Sequence, residues 1–277
     1  MEQQNIQAYY AHDIEANRLE TEPFKLEGVR TKELIGRYLA KPNQQVLDIG
    51  GGAGHYAFWL QEQGHQVSLV DLSPRNIELV QQRAKASGVA LSHATVGNAT
   101  LLDFPNEQFD VVLMLGPLYH LTNRQDRLNA LTEARRVLKP GGLLLAAVIS
   151  RYASLFDGFQ RDLVADDAFY NILKNDLASG VHLNETSNLE YFTTAYFHTP
   201  KEIEEEIRET GWRFEALIAI ESFGWIVPNF GEKQNDPVYM EKLLSVIRLV
   251  ERDNHLVAMS PHIMAVAYKE TTDKQDG

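Results

Sequence analysis

The sequence contains no cysteine and has fewer basic than acidic residues, and each deficit excludes a class of protein. Without cysteine there can be no disulfide, no thiolate metal site and no cysteine nucleophile. The 26 Lys and Arg residues against 38 Asp and Glu give a formal net charge of −12. Binding to a phosphate backbone needs a basic footprint, so nucleic acid is an unfavoured partner.

Long apolar runs are also missing. The longest, Leu143 to Ile149, falls far short of the roughly 20 residues that a membrane helix needs. The first six residues have neither the basic nor the apolar region of a signal peptide. A chain of 277 residues that is 44% apolar can bury a full core, as one large domain or two small ones. We therefore expect a cytoplasmic globular protein without a membrane segment.

Strand and helix patterns alternate along the chain, which indicates an α/β fold with a parallel sheet. Ser73 before Pro74 predicts a helix start, and Gly88 its stop. Thr199 and Glu202 have the spacing of a capping box. The predicted strands are 46–49, 66–70, 91–96, 109–115, 143–149, 212–220 and 262–268.

Residues 151–198 interrupt this alternation and contain nine aromatic residues. We interpret them as an inserted, mostly helical cap, whose aromatic residues form either a small core of their own or a lining for substrate. Residues 46–150 and 199–269 form the predicted main domain. Residues 1–45 are a predicted helical segment, and 270–277 a disordered tail.

A glycine-rich turn follows the first strand, from Gly50 to Gly54, and a helix follows the turn. The next strand ends at Asp71, 21 residues after Gly50, which is typical of a nucleotide-binding half-fold. A carboxylate can accept hydrogen bonds from both ribose hydroxyls, although Asp71 could instead serve only the helix start at Ser73. The dinucleotide fingerprint fails because His55 occupies its last glycine position. Asp48 suits a ligand with a cationic amino-acid end, such as S-adenosylmethionine.

Residues 46–149 resemble the class I S-adenosylmethionine-dependent methyltransferases. The resemblance rests on five motifs in the family's order and spacing: Val-Leu-Asp-Ile-Gly-Gly-Gly-Ala-Gly, Val-Asp-Leu-Ser-Pro, Gly-Asn-Ala, Phe-Asp-Val-Val-Leu and Leu-Lys-Pro-Gly-Gly-Leu. It implies a Rossmann-like fold with a seven-stranded, mostly parallel sheet. It also implies S-adenosylmethionine as the cofactor and S-adenosylhomocysteine as the product.

The same resemblance implies a role for each residue that matches a motif. The glycine loop backs the methionine moiety and the ribose, Asp71 holds the ribose, and Asp48 either organises the loop or reaches the ammonium group through water. The implied cofactor-binding residues of these motifs are Asp48, Gly50, Gly51, Gly52, Asp71, Leu72, Asn98, Ala99 and Leu115. The family more often has aspartate in place of Asn98, but the asparagine side-chain oxygen can still accept from the adenine amine.

The N-terminal segment contributes two further predictions. In methyltransferases of similar layout this segment folds over the cofactor, and an arginine pairs with its carboxylate, which a guanidinium matches in shape. We favour Arg30 over Arg18 for that pairing and add Tyr10 to the cofactor-binding residues. A surface arginine on an amphipathic helix is the alternative for Arg30.

The Gly-Pro-Leu-Tyr-His-Leu segment after the fourth strand resembles that of a bacterial subgroup of small methyltransferases. It places His120 and Tyr119 at the carboxyl edge of the sheet, where ligands bind. His120 is the first candidate for a base or a substrate anchor, because imidazole titrates near neutral pH. Each residue also has a structural alternative, a helix-start histidine and a packed tyrosine. His182 and His198 lack metal-ligand spacing, so no metal is expected.

Three functions are compatible with these features. The leading one is methyl transfer to a small molecule enclosed by the cap. The second is methylation of a carboxymethoxyuridine in transfer RNA, because the glycine loop and the last strands also resemble such an enzyme. The third is a non-catalytic cofactor-binding protein. The acceptor atom and the oligomeric state are not determined by the sequence.

Overall fold

The computed structural model describes residues 25–39, 41–186 and 188–271. The predictions for Tyr10 and Arg18 lie outside these residues, as does most of the predicted tail. Within the described residues, no helix combines the length and hydropathy that crossing a membrane requires.

The main sheet has seven strands in the described part of the chain, in the order β3-β2-β1-β4-β5-β9-β8. All neighbouring pairs from β3 to β5 are parallel, whereas β9 runs antiparallel to both β5 and β8. This confirms the predicted mostly parallel α/β sheet. The strands are β1 (Gln45–Ile49), β2 (Gln66–Asp71), β3 (His93–Val96), β4 (Phe109–Met114), β5 (Leu138–Ile149), β8 (Arg213–Ala219) and β9 (His262–Tyr268), and β6 (Val181–His182) pairs separately with β7 (Ala195–Tyr196).

The helices begin where the capping residues indicate. Ser73 accepts a hydrogen bond from the backbone N–H of Asn76, and the reciprocal capping box of Thr199 and Glu202 is present. Gly88 ends its helix with a φ of 72°, in the left-handed region. The helices are α1 (Lys25–Tyr38), α2 (His55–Glu62), α3 (Pro74–Ser87), α4 (Pro117–His120), α5 (Arg124–Val137), α6 (Ala153–Gln160), α7 (Asp167–Ser179), α8 (Pro200–Glu209), α9 (Phe230–Lys233) and α10 (Pro237–Val250).

Two strand boundaries differ from the prediction by more than one residue. β5 begins at Leu138, five residues before the predicted start, because Leu138 already pairs with Phe109 of β4. The lysine-proline-glycine-glycine segment therefore lies inside the strand rather than in a separate turn. β3 begins at His93, two residues after the predicted start.

The sheet is covered by helices on both faces. Alternate strand residues point to opposite sides, so Leu47 packs with α5 and α8 while its neighbour Val46 packs with α1, α2 and α3. Leu131 and Ile207 anchor the first layer, and Phe58 anchors the second. Such a three-layer arrangement leaves the carboxyl edge of the parallel strands open for ligands.

Residues 151–198 leave the sheet after β5 and contain α6, α7 and the β6–β7 ladder. Phe169 and Tyr191 are buried in a small apolar cluster of this segment. A buried polar group also holds it together, because Asp176 accepts from Ser154 at 2.6 Å and contacts the His182 ring at 2.9 Å. This serine bonds to the aspartate and not to the imidazole, so the three residues are a structural clamp rather than a nucleophilic triad.

The connection between β8 and β9 forms a second addition to the sheet, although the sequence prediction assigned 199–269 to the main domain as a whole. It contains α9 and α10, which bury Leu243 and Ile247 against Leu26 of α1. Buried ion pairs reinforce this contact, because Glu251, just after α10, binds both Arg30 and Arg37 of α1. The helix α1 is thereby fixed to the β8–β9 connection.

Replacing Glu251 by alanine should destabilise the protein by about 3 kcal/mol, because Arg30 would keep a buried charge without this partner. Chemical denaturation of the full chain measures the change. Glu241→Ala, an exposed glutamate on α10, is the matched control and should change stability by less than about 0.5 kcal/mol. Equal effects of both variants would show that the ion pair does not hold α1.

Candidate functional site

A cavity lies at the carboxyl edge of the parallel strands. The cavity is lined by residues at the ends of β1 and β2, in the loop after β3 and directly after β4. Ile220, which follows β8, and His262, which begins β9, also line it. Side chains of α1 also reach it. This is the edge at which open α/β sheets bind their ligands.

The cavity brings together most of the residues that the sequence selected. The predicted cofactor-binding residues that line it are Asp48, Gly50, Gly51, Gly52, Asp71, Leu72, Asn98, Ala99 and Leu115, and the predicted catalytic residues Tyr119 and His120 line it as well. Tyr10 lies outside the described residues. Arg30 is not part of the lining.

The glycine loop is packed so closely that side chains would not fit at two positions. Gly50 has a φ of 69°, and a Cβ there would lie 2.6 Å from Cγ of Pro117. A Cβ on Gly51 would lie 2.7 Å from Oδ2 of Asp48. The loop backbone therefore lies directly between the ends of β1 and β4, where a ligand can approach it.

Asp71 fixes this loop and also lines the cavity. Its Oδ2 accepts from the backbone N–H of Gly52 at 2.8 Å, and its Oδ1 accepts from Ser73 at 2.8 Å and from Asn76 at 3.0 Å. Burial raises the pKa of Asp71, although these donors act in the opposite direction. A carboxylate offers about four acceptor sites, so the contact at the helix start does not exclude a ribose hydroxyl.

Asp48 is a buried carboxyl group whose Oδ2 has no hydrogen-bond partner among the described residues. Burial and the nearby charge of Asp71 raise the pKa of Asp48 to about 7. A buried carboxyl group without a partner is costly unless a donor or cation completes it. The ammonium group of S-adenosylmethionine supplies both, so the residues present fit this cofactor.

The adenine contact expected from the Asn98 side-chain oxygen is not supported. This oxygen already accepts from the backbone N–H and the hydroxyl of Thr100, each at 3.0 Å. Both lone pairs of the Asn98 side-chain oxygen therefore accept hydrogen bonds from within the loop. The amide nitrogen of Asn98 and the backbone at Ala99 are the groups left to contact a base.

The prediction that Arg30 pairs with the cofactor carboxylate is wrong. Its side chain is fully buried, with Nε donating to the carbonyl of Ile220 at 2.9 Å and the other nitrogens bound to Glu33 and Glu251. Residues three and four apart share one face of a helix, so Arg30 and Glu33 face the β8–β9 connection. Glu27 and Thr31 occupy the neighbouring face, which lines the cavity.

His120 and Tyr119 stand at the cavity on the short helix α4. Their rings lie 4.6 Å apart, and the His120 ring stacks on Phe192 of the 151–198 segment at 6.2 Å. Burial lowers the pKa of His120 to about 3, so its ring is neutral at physiological pH. A group that resists protonation is a weak base, and the geometry favours His120 as a hydrogen-bonding anchor instead.

Sequence reasoning missed several lining residues, chief among them Glu27, Thr31 and His262. His262 bonds to Glu221 through Nδ1 at 2.6 Å, and Glu27 lies 3.9 Å from the same nitrogen. One ligand atom from each of these three residues lies within 4.8 Å of the others, close enough to hold a metal where none was expected. The strand pattern did indicate a position for His262, because a last strand that runs antiparallel begins at the ligand-binding edge of the sheet.

Comparisons with known proteins identify the domain. Residues 46–142 match the family described as methyltransferase domain. A ubiquinone/menaquinone biosynthesis C-methyltransferase of Vibrio vulnificus is 32% identical over 146 residues, which are 47% of this chain and 55% of the relative. A ubiquinone biosynthesis O-methyltransferase of Cereibacter sphaeroides is 31% identical over 153 residues, 55% of this chain and 52% of the relative. The chain therefore spans about half the length of these curated relatives.

Solved structures share the fold over most of the chain. A protein of Pyrococcus horikoshii superimposes with a TM-score of 0.63 at 19% identity and covers 95% of this chain and 99% of its own. A methyltransferase of Methanosarcina mazei gives a TM-score of 0.58 at 20% identity and covers 86% of this chain and 97% of its own. At these identities the likeness shows the fold, which is that of the class I S-adenosylmethionine-dependent methyltransferases.

The buried carboxyl group of Asp48 should cost stability in the ligand-free protein. Because its folded pKa of about 7 lies above its ordinary value of 3.8, the cost is absent below pH 4 and grows until about pH 7. The free energy of unfolding of Asp48→Asn should therefore rise relative to that of the original protein between pH 4 and pH 7. The rise should be about 1.4 kcal/mol for each unit by which folding raises the pKa of Asp48.

Chemical denaturation without ligand at several pH values measures this difference. Asp103→Asn, at an exposed position in the loop after β3, is the control and should show no such pH-dependent gain. A stability difference between Asp48→Asn and the original protein that does not change with pH would contradict the raised pKa.

Proposed function

We propose that this chain, in which residues 46–142 match a methyltransferase domain within the class I fold, transfers a methyl group from S-adenosylmethionine to a small-molecule acceptor. The observation that carries the proposal is one cavity lined by the glycine loop, Asp48 and Asp71 together with residues of α1, α4 and the start of β9. In this proposal the glycine loop, Asp48 and Asp71 form the cofactor end, and the residues of α1, α4 and β9 form the acceptor end.

The cofactor end supports a specific set of contacts. Asp48 binds the ammonium group of the cofactor, with the carbonyl of Leu115 as a second acceptor. Asp71 holds the ribose through the acceptor capacity left on its carboxylate. Leu72 and Ala99 contact the adenine, together with the amide nitrogen of Asn98. When bound, the cofactor supplies an activated methyl group on a positively charged sulfur.

The chain's own residues then align the acceptor with that methyl group. In-line displacement needs the nucleophile held roughly 3 to 3.5 Å from the methyl carbon. Tyr119 and His120 of α4 line the cavity, and Phe192 packs against the His120 ring. Enclosure of this kind favours an acceptor small enough to lie inside the cavity.

The charges of the cavity support a small acceptor over transfer RNA. Neither lysine nor arginine occurs among the described residues that line it, whereas Glu27, Asp48 and Asp71 do. The net charge of −12 also disfavours phosphate binding, which requires a basic surface. The named relatives act in ubiquinone and menaquinone biosynthesis, which also favours a small molecule.

Removing the Asp71 carboxylate should weaken cofactor binding through the ribose. Asp71→Ala should lower the affinity for S-adenosylhomocysteine at least tenfold, because a charged hydrogen bond contributes about 1.5 to 3 kcal/mol. Calorimetry gives the dissociation constants, and Asp126→Ala, at an exposed position on α5, is the matched control.

A second ligand distinguishes the effect of the lost ribose contact from the effect of the lost contacts between Asp71 and the glycine loop. The original protein should prefer S-adenosylhomocysteine over its 2′,3′-dideoxy analogue, and Asp71→Ala should bind both alike. If the variant kept the original preference, the ribose would lie elsewhere.

Cofactor affinity should also depend on pH through Asp48. Only the ionised carboxylate attracts the ammonium group, and its pKa is about 7 without ligand. The affinity for S-adenosylhomocysteine should therefore be about tenfold lower at pH 6 than at pH 8. Calorimetry at both pH values tests this, and Asp48→Asn should bind more weakly with little pH dependence. A pH-independent affinity of the original protein would place the ammonium group away from Asp48.

A further inference from the structure

The acceptor end of the cavity contains a pair of residues that the cofactor contacts do not use. His262 is the first residue of β9, and Glu221 lies two residues beyond the end of β8. Because β9 runs antiparallel, its first residue stands at the carboxyl edge of the parallel strands, paired with Ile149 at the end of β5. His262 lines the cavity there, opposite Glu27 and Thr31 of α1.

Glu221 binds His262 in a geometry that fixes the imidazole. Its Oε1 lies 2.6 Å from Nδ1 of the ring, and its Oε2 accepts from the backbone N–H of His262 at 3.2 Å. An ionised carboxylate only accepts hydrogen bonds, so Nδ1 is the donor. In the neutral ring, Nε2 is then the nitrogen that bears the lone pair.

A third residue holds the carboxylate itself. The Ser260 hydroxyl donates to Oε2 of Glu221 at 2.9 Å and accepts from the backbone N–H groups of Glu221 at 3.1 Å and Ser222 at 3.0 Å. Ser260 and Glu221 are buried, and Ser222 adopts a left-handed φ of 54° within this turn. A strained residue kept in place by surrounding hydrogen bonds is typical of functional sites.

Among the described residues, two carboxylates lie close to the His262 ring. Oε1 of Glu221 lies 2.6 Å and Oε2 of Glu27 lies 3.9 Å from the same nitrogen, Nδ1. The neighbouring strand β5 contributes the uncharged Ile149. Both charged groups are acidic and would stabilise an imidazolium, whereas burial opposes protonation of His120.

Metal binding is the competing use of this cluster, because its ligand atoms lie within 4.8 Å of one another. Both oxygens of Glu221 already accept hydrogen bonds, from Nδ1 and the backbone of His262 and from Ser260. A metal ion bound at Nδ1 of His262 would have to replace the proton that this nitrogen shares with Glu221. The hydrogen-bonded arrangement therefore favours proton transfer.

We infer that His262 is the catalytic base for an acceptor whose nucleophile is a hydroxyl oxygen, and that Glu221 is its positioning residue; the inference rests on the proposed methyltransferase function. The acceptor oxygen forms a bond to the methyl carbon as the carbon–sulfur bond breaks, and the electron pair of that bond remains on sulfur. The hydroxyl proton passes to Nε2 of His262. The imidazolium then releases it to water.

A hydroxyl acceptor matches this chemistry better than the alternatives. An alcohol or phenol must lose its proton as the new bond forms, whereas a neutral amine can attack with its lone pair first. An anionic acceptor would find no lysine or arginine among the described lining residues. The chemical class is therefore a neutral small molecule that carries a phenolic or alcoholic hydroxyl.

The first test observes the histidine ring directly, in the full chain with S-adenosylhomocysteine bound. Nitrogen NMR of labelled histidine should show His262 as the Nδ1–H tautomer, with a titration midpoint that moves about one unit lower in Glu221→Gln. Addition of 4-methylphenol should shift the His262 ring signals. An Nε2–H tautomer, or ring signals unaffected by 4-methylphenol, would overturn the inference.

The second test follows methyl transfer from labelled S-adenosylmethionine to 4-methylphenol and to 4-methylaniline, which differ only in the nucleophile. Transfer to the phenol oxygen should exceed transfer to the amine. His262→Asn keeps a donor for Glu221 but removes the base, so kcat should fall 10²- to 10⁴-fold with an unchanged S-adenosylhomocysteine affinity. Glu221→Gln should lower kcat and move the acid limb of its pH profile. His255→Asn, at an exposed turn, is the matched control.

The outcomes separate this inference from the proposed function. If the original protein does not bind S-adenosylhomocysteine, the proposed function fails. If the original protein binds S-adenosylhomocysteine, the hydroxyl–base inference fails in either of two cases. The first is that His262→Asn keeps the original activity. The second is that only the amine or a ring carbon is methylated, or that neither probe is methylated. Activity that a chelator removes and Mg²⁺ restores would assign the cluster to a metal instead.

Discussion

Two buried carboxyl groups at the ends of adjacent parallel strands are the constraint on which the site depends. Asp48 belongs to β1 and Asp71 to β2, and the parallel pairing of these strands brings both to one edge of the sheet. Burial and the charge of Asp71 raise the pKa of Asp48, and Asp71 also fixes the glycine loop through Gly52. Ionised Asp48 is therefore electrostatically unfavourable in the ligand-free site, and the proposed function assigns a cationic group of the cofactor to it.

In the proposed function, the acceptor end depends on the β8–β9 connection and α1 as well as on the parallel strands. The β8–β9 connection is fixed to α1 by Glu251 and its arginine partners, and α1 in turn presents Glu27 to the cavity. The 151–198 segment contributes Phe192 against His120. Of the two alternatives for its aromatic residues, a small core is present around Phe169, whereas no residue of 151–198 is among the described residues that line the cavity. In the proposed function, the parallel half of the sheet holds the cofactor, and the 151–198 segment acts on the cavity only through the contact of Phe192 with His120.

Local patterns predicted the features that depend on a few neighbouring residues. Ser73, Thr199 and Gly88 mark helix ends because their side chains or backbone freedom act within one turn. The alternation of apolar runs predicted the strands, and strand polarity places their carboxyl ends together. Patterns of this kind carry no information about which face of a helix meets which neighbour, so the assignment of Arg30 to the cofactor was wrong.

The sequence by itself determined the α/β sheet, the glycine loop and the acidic residues Asp48 and Asp71 near the ends of β1 and β2. These depend on hydrophobic period, turn chemistry and spacing, which are local properties. Only the tertiary structure decided that Arg30 is buried beside Glu251, that burial lowers the pKa of His120, and that Glu221 orients His262. Each of these depends on contacts between residues far apart in the chain, and on the solvent that those contacts exclude. Burial and long-range pairing arise only when the chain has folded.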